Sequence, residues 1–455
     1  MNSPLQGALA SVVLLTLSFV PLPAQPVERA EVESLRARIR DLELQLTALM
    51  SRLDAPVPEA RVAELRGATA PEPTKRIQPP ASSDAAWLRT LIHVDARAFL
   101  EGTGRDTLVL RRARLLAEGE MAPRMRYNLV SDFGGNAIAL LDASLTFDFA
   151  PGLQLRAGKF KSPLGMEILH PTRAVTFTER SLVSGLMPNR DVGVQLSATR
   201  ADGGLQATVG IFNGGVDGTN AGNQDFDRHR DVVGRILVEP FRTSSVSAWR
   251  GLTIGVGGSH GQRRTSEGRT QAYRTAGQES YFSYLSAVEA DGAAWRLSPQ
   301  FDYRVGPLGL FGEYAISASR LRPDSNRNAL SLRHRAWQLT GGYVFTGEDS
   351  IATGLVPRAP FDPGVGAWGA FELVARWSEA NLDEAAFPLL AAPDSSVTDV
   401  RSIAVGLNWY LSGAVRAMFN YYYSQFDATP GALRAGGAVR RPEEGVFVSR
   451  LQLAF

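Results

Sequence analysis

The sequence predicts an all-β protein: a transmembrane antiparallel β-barrel of about 16 strands, preceded by a signal peptide and a short periplasmic α-helical coiled coil. Three observations carry this reading. From Leu88 to Phe455, apolar and polar residues alternate with period two in one segment after another, as in strands with one oily and one wet face. Aromatic residues cluster near the ends of the apolar faces, at Trp295, Tyr303, Tyr314, Trp337, Tyr343, Phe345, Trp377, Trp409, Tyr421 and Tyr423, as in the two girdles of a membrane barrel. Mean hydropathy is −0.09. That is too low for repeated apolar helices of about 20 residues, but a barrel hides its apolar residues at every second position.

Residues 1–24 read as a secretory signal. An apolar run from Ala8 to Val20 is followed by Pro21-Leu22-Pro23-Ala24, with cleavage expected after Ala24. Residues 25–53 carry Val32, Leu35, Ile39, Leu42, Leu46, Leu49 and Leu53. This 3-4 spacing is a heptad seam, and so short a helix is marginal without partner chains. Residues 54–86 hold Pro56, Pro58, Pro71, Pro73, Pro79 and Pro80, and read as a semi-extended tether.

The barrel is expected over residues 87–455. Its first strands alternate at Ile92–Ala98, Ala113–Ala117, Met125–Leu129, Leu141–Phe147 and Leu153–Ala157. The pattern returns at Val192–Ala198, Leu205–Ile211, Val232–Val238, Leu252–Val256, Trp295–Tyr303 and Leu308–Ile316. It ends with Trp337–Phe345, Phe371–Trp377, Ile403–Leu411, Val415–Tyr423 and Phe447–Phe455. An even count suits a closed antiparallel barrel. Tight turns such as 150–152 and 305–308 are expected on one side, and long polar loops, including 212–230, 348–366 and 379–399, on the other.

Composition excludes several functions. Cysteine is absent, which removes disulfides, thiolate metal sites and a cysteine nucleophile. A net charge of +2 gives no reason to expect nucleic acid as a partner. The five histidines lack ligand spacing. One Gly-x-Ser-x-Gly match, Gly257 to Gly261, is followed by a polar stretch rather than the helix a nucleophile elbow needs, so no enzyme and no cofactor are expected. The acidic and amide side chains of 213–231 read as an ordinary solvated loop rather than a calcium site.

The stretch Gly158 to Gln195 breaks the alternation with Pro163, Gly165, Pro171, Gly185 and Pro188. Long irregular segments inside regular arrays are usually functional. Two of the three lysines of the whole chain, Lys159 and Lys161, lie here with Arg173, Arg180 and Arg190. We read residues 161–190 as a loop that folds into the pore and brings positive charge. Strand parity puts Lys159 and Lys161 on the lipid side, where a lysine costs about 2–4 kcal/mol. A break in the strand near Gly158 is therefore expected.

Several segments together resemble the phosphate-selective porin family, porins O and P. They include Leu110-Arg-Arg-Ala-Arg-Leu115, Gly158–Gln195 with its Pro-Asn-Arg-Asp-Val-Gly centre, Val209–Gly214 and Gly306–Tyr314. They continue with Gly342–Glu348, Gly366–Ser378, Val405–Tyr410 and Arg450–Phe455. The resemblance spans residues 88–455. It implies a homotrimeric 16-stranded barrel in the bacterial outer membrane, with outer-membrane lipid and small inorganic anions, such as phosphate or polyphosphate, as its partners. A strand ending in Phe455 looks like the signal read by outer-membrane assembly machinery.

The expected anion-binding residues are Arg156, Lys159, Lys161, Arg173, Arg180, Arg190, Arg112, Arg114 and Arg126. Parity also turns Arg97, Arg124, Arg235, Arg296, Arg304, Arg376, Arg416 and Arg450 inward, against Asp95, Asp142, Asp148, Asp302, Glu313 and Glu372. Two other readings stay open: a general, weakly selective porin, and an outer-membrane tether or adhesin.

Overall fold

The computed structural model describes residues 87–102, 104–200, 202–223, 227–264, 272–393, 396–427 and 442–455. The expected signal, coiled coil and tether lie outside the described residues. Among the described residues, eighteen strands run in chain order. The first are β1 (Trp87–Glu101), β2 (Thr107–Ala122), β3 (Met125–Asp132), β4 (Ala139–Ala150), β5 (Leu153–Lys161), β6 (Arg190–Thr199) and β7 (Leu205–Phe212). Next come β8 (Asp231–Val238), β9 (Leu252–Arg264), β10 (Ala272–Arg274), β11 (Ser280–Ser283), β12 (Glu289–Val305) and β13 (Leu308–Arg322). The last are β14 (Leu330–Val344), β15 (Ala370–Asn381), β16 (Asp399–Tyr410), β17 (Val415–Asp427) and β18 (Glu443–Ala454). Strands β10 and β11 form a separate hairpin, and the other 16 close into one antiparallel barrel. The seam is the pairing of β18 with β1, which matches Arg450 with Asp95 and Leu451 with Val94.

Closure follows from the alternation. In β16, Val400, Ser402, Ala404 and Asn408 are buried, while Arg401, Ile403 and Val405 are exposed. The outer wall thus shows a band of aliphatic residues, including Leu339, Leu373, Ile403 and Val405, which lipid would cover. Aromatic rings bound the band. At one end Phe345, Phe371 and Trp409 stack with centroids 5.7 and 5.6 Å apart. At the other, the indole N–H groups of Trp337 and Trp377 donate to opposite oxygens of Glu379.

The two ends differ, but two longer connections, 239–251 and 345–369, break the expected asymmetry. Connections 123–124, 151–152, 306–307 and 411–414 make one end, and 162–189 and 323–329 the other, where β7, β9, β15 and β17 also finish. The long connection 345–369 lies among the short turns, because β14 runs down to that end and β15 leaves from it. The sequence reading had placed it with the long loops; its length and polarity carry no information about direction, which only the strand count supplies.

The barrel interior is packed at the long-loop end. Phe160, Leu164, Leu182, Val183, Leu186 and Met187 pack with Phe212, Phe282 and Leu390 into one apolar cluster. This plug combines the 162–189 segment, the β10–β11 hairpin and the 382–398 connection. The Gly257–Gly261 match falls inside β9.

Candidate pore constriction

Lys161 ends β5, Arg190 begins β6, and the two face each other across the ladder. The chain between them leaves the wall and enters the barrel. Leu164 and a single helical turn, α1 (Met166–Leu169), dock on the far wall. The amides of Met166 and Glu167 donate to the Glu313 carboxylate at 2.8 and 3.1 Å, and Gln300 Nε2 donates to Leu164 O at 3.2 Å. The returning half is held by its apolar turn, Leu182–Leu186, in the plug.

Between these anchors lies an irregular stretch, residues 170–181. Irregular backbone inside a membrane barrel needs hydrogen-bond partners from the wall, and the wall supplies them residue by residue. Gln452 Nε2 donates to Arg173 O, Arg416 Nη2 to Val175 O and Asn408 Nδ2 to Thr176 O, at 3.0, 2.9 and 2.9 Å. Arg450 donates to Thr178 O, and Arg376 Nη1 to Glu179 O at 3.0 Å. The Thr178 amide donates to Asn420 Oδ1 at 2.8 Å, and the Glu179 amide to the Tyr422 hydroxyl at 3.1 Å. Inward arginines from β15, β17 and β18 therefore serve first as clamps on this segment.

Glu179 is the charged centre of the docking. Arg111 holds it with Nε to Oε1 at 2.7 Å and Nη2 to Oε2 at 3.1 Å. Arg97 and Arg450 each approach Oε1 at 3.4 Å. Burial pushes this carboxyl up, but the surrounding guanidiniums, Arg111 foremost, outweigh it and hold the group well below the usual carboxylate range. Arg450 also grips Asp95 through two bonds of 2.6 and 2.7 Å.

Sequence parity missed Arg111. The β1–β2 register slips between His93 and Val94, pairing them with Arg112 and Leu110. Arg111 is thus the extra residue of a bulge, and both it and Arg112 turn inward. The signal was present in the run Arg111-Arg112-Ala113-Arg114, which a strict period of two forces to alternate. Parity also misplaced Arg124. It sits in the 123–124 turn between β2 and β3 with φ 66° and donates to Phe149 O at 3.3 Å, away from the lumen.

The expected anion-binding residues divide into three groups. Arg112 donates to His93 Nδ1 at 3.2 Å, and Arg126, half exposed, is paired with Asp148 at 3.0 Å. Arg156 donates to Ser144 at 3.0 Å and lies 4.4 Å over the Phe160 ring. These three belong to the wall strands β2, β3 and β5. Arg114, Lys161, Arg180 and Arg190 form the second group, each within electrostatic range of others of the set. Arg114 pairs with Asp132 at 2.7 Å and Arg190 with Asp142 at 3.1 Å. Lys161 Nζ donates to the carbonyls of Ile168 and His170 at 2.6 and 3.2 Å. Arg180 donates to the carbonyls of Glu167 and Ile168 at 3.2 and 3.4 Å. Neither Lys161 nor Arg180 has a carboxylate within ion-pair distance among the described residues. The third group is Arg173, exposed, whose side chain has no polar partner among the described residues, and Lys159, which donates to Asn223 at 2.7 Å.

The β5 lysines avoid lipid without a register break. Pairing of β5 with β4 and β6 continues unshifted through Lys159. Gly158 instead takes φ 123°, where a Cβ would meet Ala143 O at 2.1 Å. Both ammonium groups then reach loop acceptors. Beyond Arg180 an opening between the segment and the wall is lined by His170, Arg304, Phe311, Thr340 and Arg376. Burial, and then the charge of Arg304, pull His170 down to about 3, so it is neutral there. The acidic 213–231 loop spends Asp217 on Arg296 and Ser317.

A family model for the phosphate-selective porins O and P matches residues 92–455. No curated protein sequence matches significantly. Among solved structures, the trimer form of the outer membrane protein OmpT of Vibrio cholerae is similar at 9% identity and TM-score 0.51, covering 82% of this chain and 100% of that one. The outer membrane channel DcaP of Acinetobacter baumannii is similar at 12% identity and TM-score 0.51, covering 81% and 97%. An anion-selective porin from Comamonas acidovorans is similar at 12% identity and TM-score 0.50, covering 82% and 100%. At such identities these likenesses speak for the fold alone.

Proposed function

The chain belongs to the phosphate-selective porin O and P family, and from that membership we propose that this outer-membrane porin passes small inorganic anions by passive diffusion, phosphate and polyphosphate among them. The supporting observation is the group Arg114, Lys161, Arg180 and Arg190 where the inserted segment meets the wall. Its ion-paired carboxylates are Asp132 and Asp142, and Glu167 nearby is turned to Ser181 and Arg376. A passing anion trades part of its hydration for guanidinium and ammonium donors. Lys161 and Arg180 already bond to carbonyls, so they bind an anion weakly enough to release it. Modest selectivity is further favoured by the neutralisation of Arg97, Arg111 and Arg450 on Asp95 and Glu179.

The proposal extends to the assembly: a homotrimer, exported by residues 1–24 and gathered by the heptads of residues 25–53, with 54–86 as tether. Single-channel recording across a salt gradient tests the transport reading. A reversal potential on the anion side, and block of chloride current by polyphosphate, are expected. Equal permeability of anions and cations would reject it.

A further inference from the structure

The outer surface of the barrel carries a second basic site. In an outer-membrane barrel the long-loop end faces outward from the cell. There the β12–β13 register slips between Ala290 and Ala294, which pair with Leu321 and Ser319. Four steps of β12 run against two of β13, so β12 bows away and leaves a groove on the outer wall. It is lined from β9, β12, β13 and β14 by Arg264, Arg320, Arg333 and Arg335 together with Asp291 and Trp295.

These arginines face out, not into the lumen. Their neighbours Leu321, Leu332 and His334 are buried inside, while Arg320, Arg333 and Arg335 are exposed. Arg333 lies 5.5 Å over the Trp295 ring, and the Arg320 stem lies against Gly292, where a Cβ would come within 2.8 Å of its Cδ. Asp291 already answers to Arg264 and Arg322, at 3.8 and 3.7 Å. The Asp383 carboxylate accepts from the amides of Arg333 and Ala385. Arg320, Arg333 and Arg335 have no carboxylate within ion-pair distance among the described residues.

We propose that this groove binds the phosphorylated headgroup of an outer-leaflet glycolipid. Three guanidiniums converge at the level of the aromatic belt, and guanidinium is the side chain that matches phosphate oxygens in pairs. Directly below, Leu297 and Leu339 are exposed on the wall, a track for the acyl chains of the same molecule. A free phosphate would find the charges but leave that apolar track bare.

Native mass spectrometry of the purified full chain tests this, with diphosphoryl lipid A, its dephosphorylated form and inorganic phosphate as probes. Retention of the diphosphoryl lipid is expected, at least about tenfold tighter than the dephosphorylated one, a difference of about 1.4 kcal/mol. The R320E/R333E/R335E variant should lose it, and the milder R320Q/R333Q/R335Q variant covers a folding failure of the first. Single-channel conductance should be unchanged in both, since the residues lie outside the lumen. Equal retention of both lipids, unchanged retention in the glutamine variant, full displacement by inorganic phosphate, or a change of oligomeric state as the only effect would each overturn the proposal.

Discussion

Arg111 of the barrel wall and Glu179 of the inserted segment, 68 residues apart in the chain, form a two-pronged ion pair, Nε–Oε1 2.7 Å and Nη2–Oε2 3.1 Å. The pair depends on one irregularity. Without the bulge at Arg111, the residue would point into lipid and the segment would lose its strongest charged anchor. The same guanidinium that looks like part of an anion path thus holds the segment that narrows the path.

Replacing Glu179 by Gln should therefore act on stability and transport together. It leaves Arg111, Arg97 and Arg450 with less compensating charge in a buried site, at a cost of about 3–5 kcal/mol. The loss should appear as a lower temperature for the gel shift from folded to unfolded barrel. Permeability should move toward anions, with noisier open-channel current. An unaltered melting temperature would show that the pair does not hold the segment.

Lys161→Glu and Arg180→Glu reverse charge where no carboxylate is in contact. Coulomb energies near a protein surface are about 4 kcal/mol at 4 Å, so even a screened fraction matters. Each single reversal should lower the anion-to-cation permeability ratio by about tenfold, the equivalent of about 1.4 kcal/mol. Arg126→Glu, at an exposed residue paired with Asp148, should change it much less. Equal effects at all three positions would mean that net lumen charge, not this cluster, sets selectivity.

The Tyr422 hydroxyl meets Thr178 Oγ1 at 2.8 Å and receives the Glu179 amide at 3.1 Å. Tyr422→Phe keeps the ring and strands a buried amide, which costs about 1–3 kcal/mol. More frequent brief closures in single-channel records, at the same full conductance, are the expected readout. Records identical to the parent would assign the segment's position to its apolar anchors alone.

Much of the wall was legible in the sequence because one variable, parity, sorts every residue of a regular strand to oil or water. All 16 alternating segments coincide with barrel strands. Parity fails where the ladder is irregular, and the failures are local. The bulge at Arg111 hid an inward arginine, the positive φ of Arg124 removed one, and Gly158 reoriented two lysines without a register shift. The direction of the 345–369 connection was hidden for another reason: length does not reveal which end a loop occupies. The wall-to-segment bonds were hidden most completely, since nothing in the alternation sets Asn408, Asn420 and Tyr422 apart from their neighbours. Their partners lie more than 200 positions away.

The outer wall offers the last test, because lipid exposure can be measured residue by residue. Val405 in β16 is 49% exposed and opposes Ala375 and Tyr421, midway between the aromatic belts. Its neighbour Ala404 is buried and faces the lumen side. Arginine at a lipid-facing site near the bilayer midplane costs about 2–4 kcal/mol. Val405→Arg should therefore lower refolding into phospholipid vesicles by that amount while leaving ion selectivity unchanged. The long-loop rim gives the contrast, since Arg401 in the same strand is already an arginine on the same outward face. Arg401→Val should cost little, because at the rim the guanidinium reaches water. If Val405→Arg refolds as well as the parent, the band between the two belts is not in contact with lipid, and residues 403–407 would have to be covered by another protein surface.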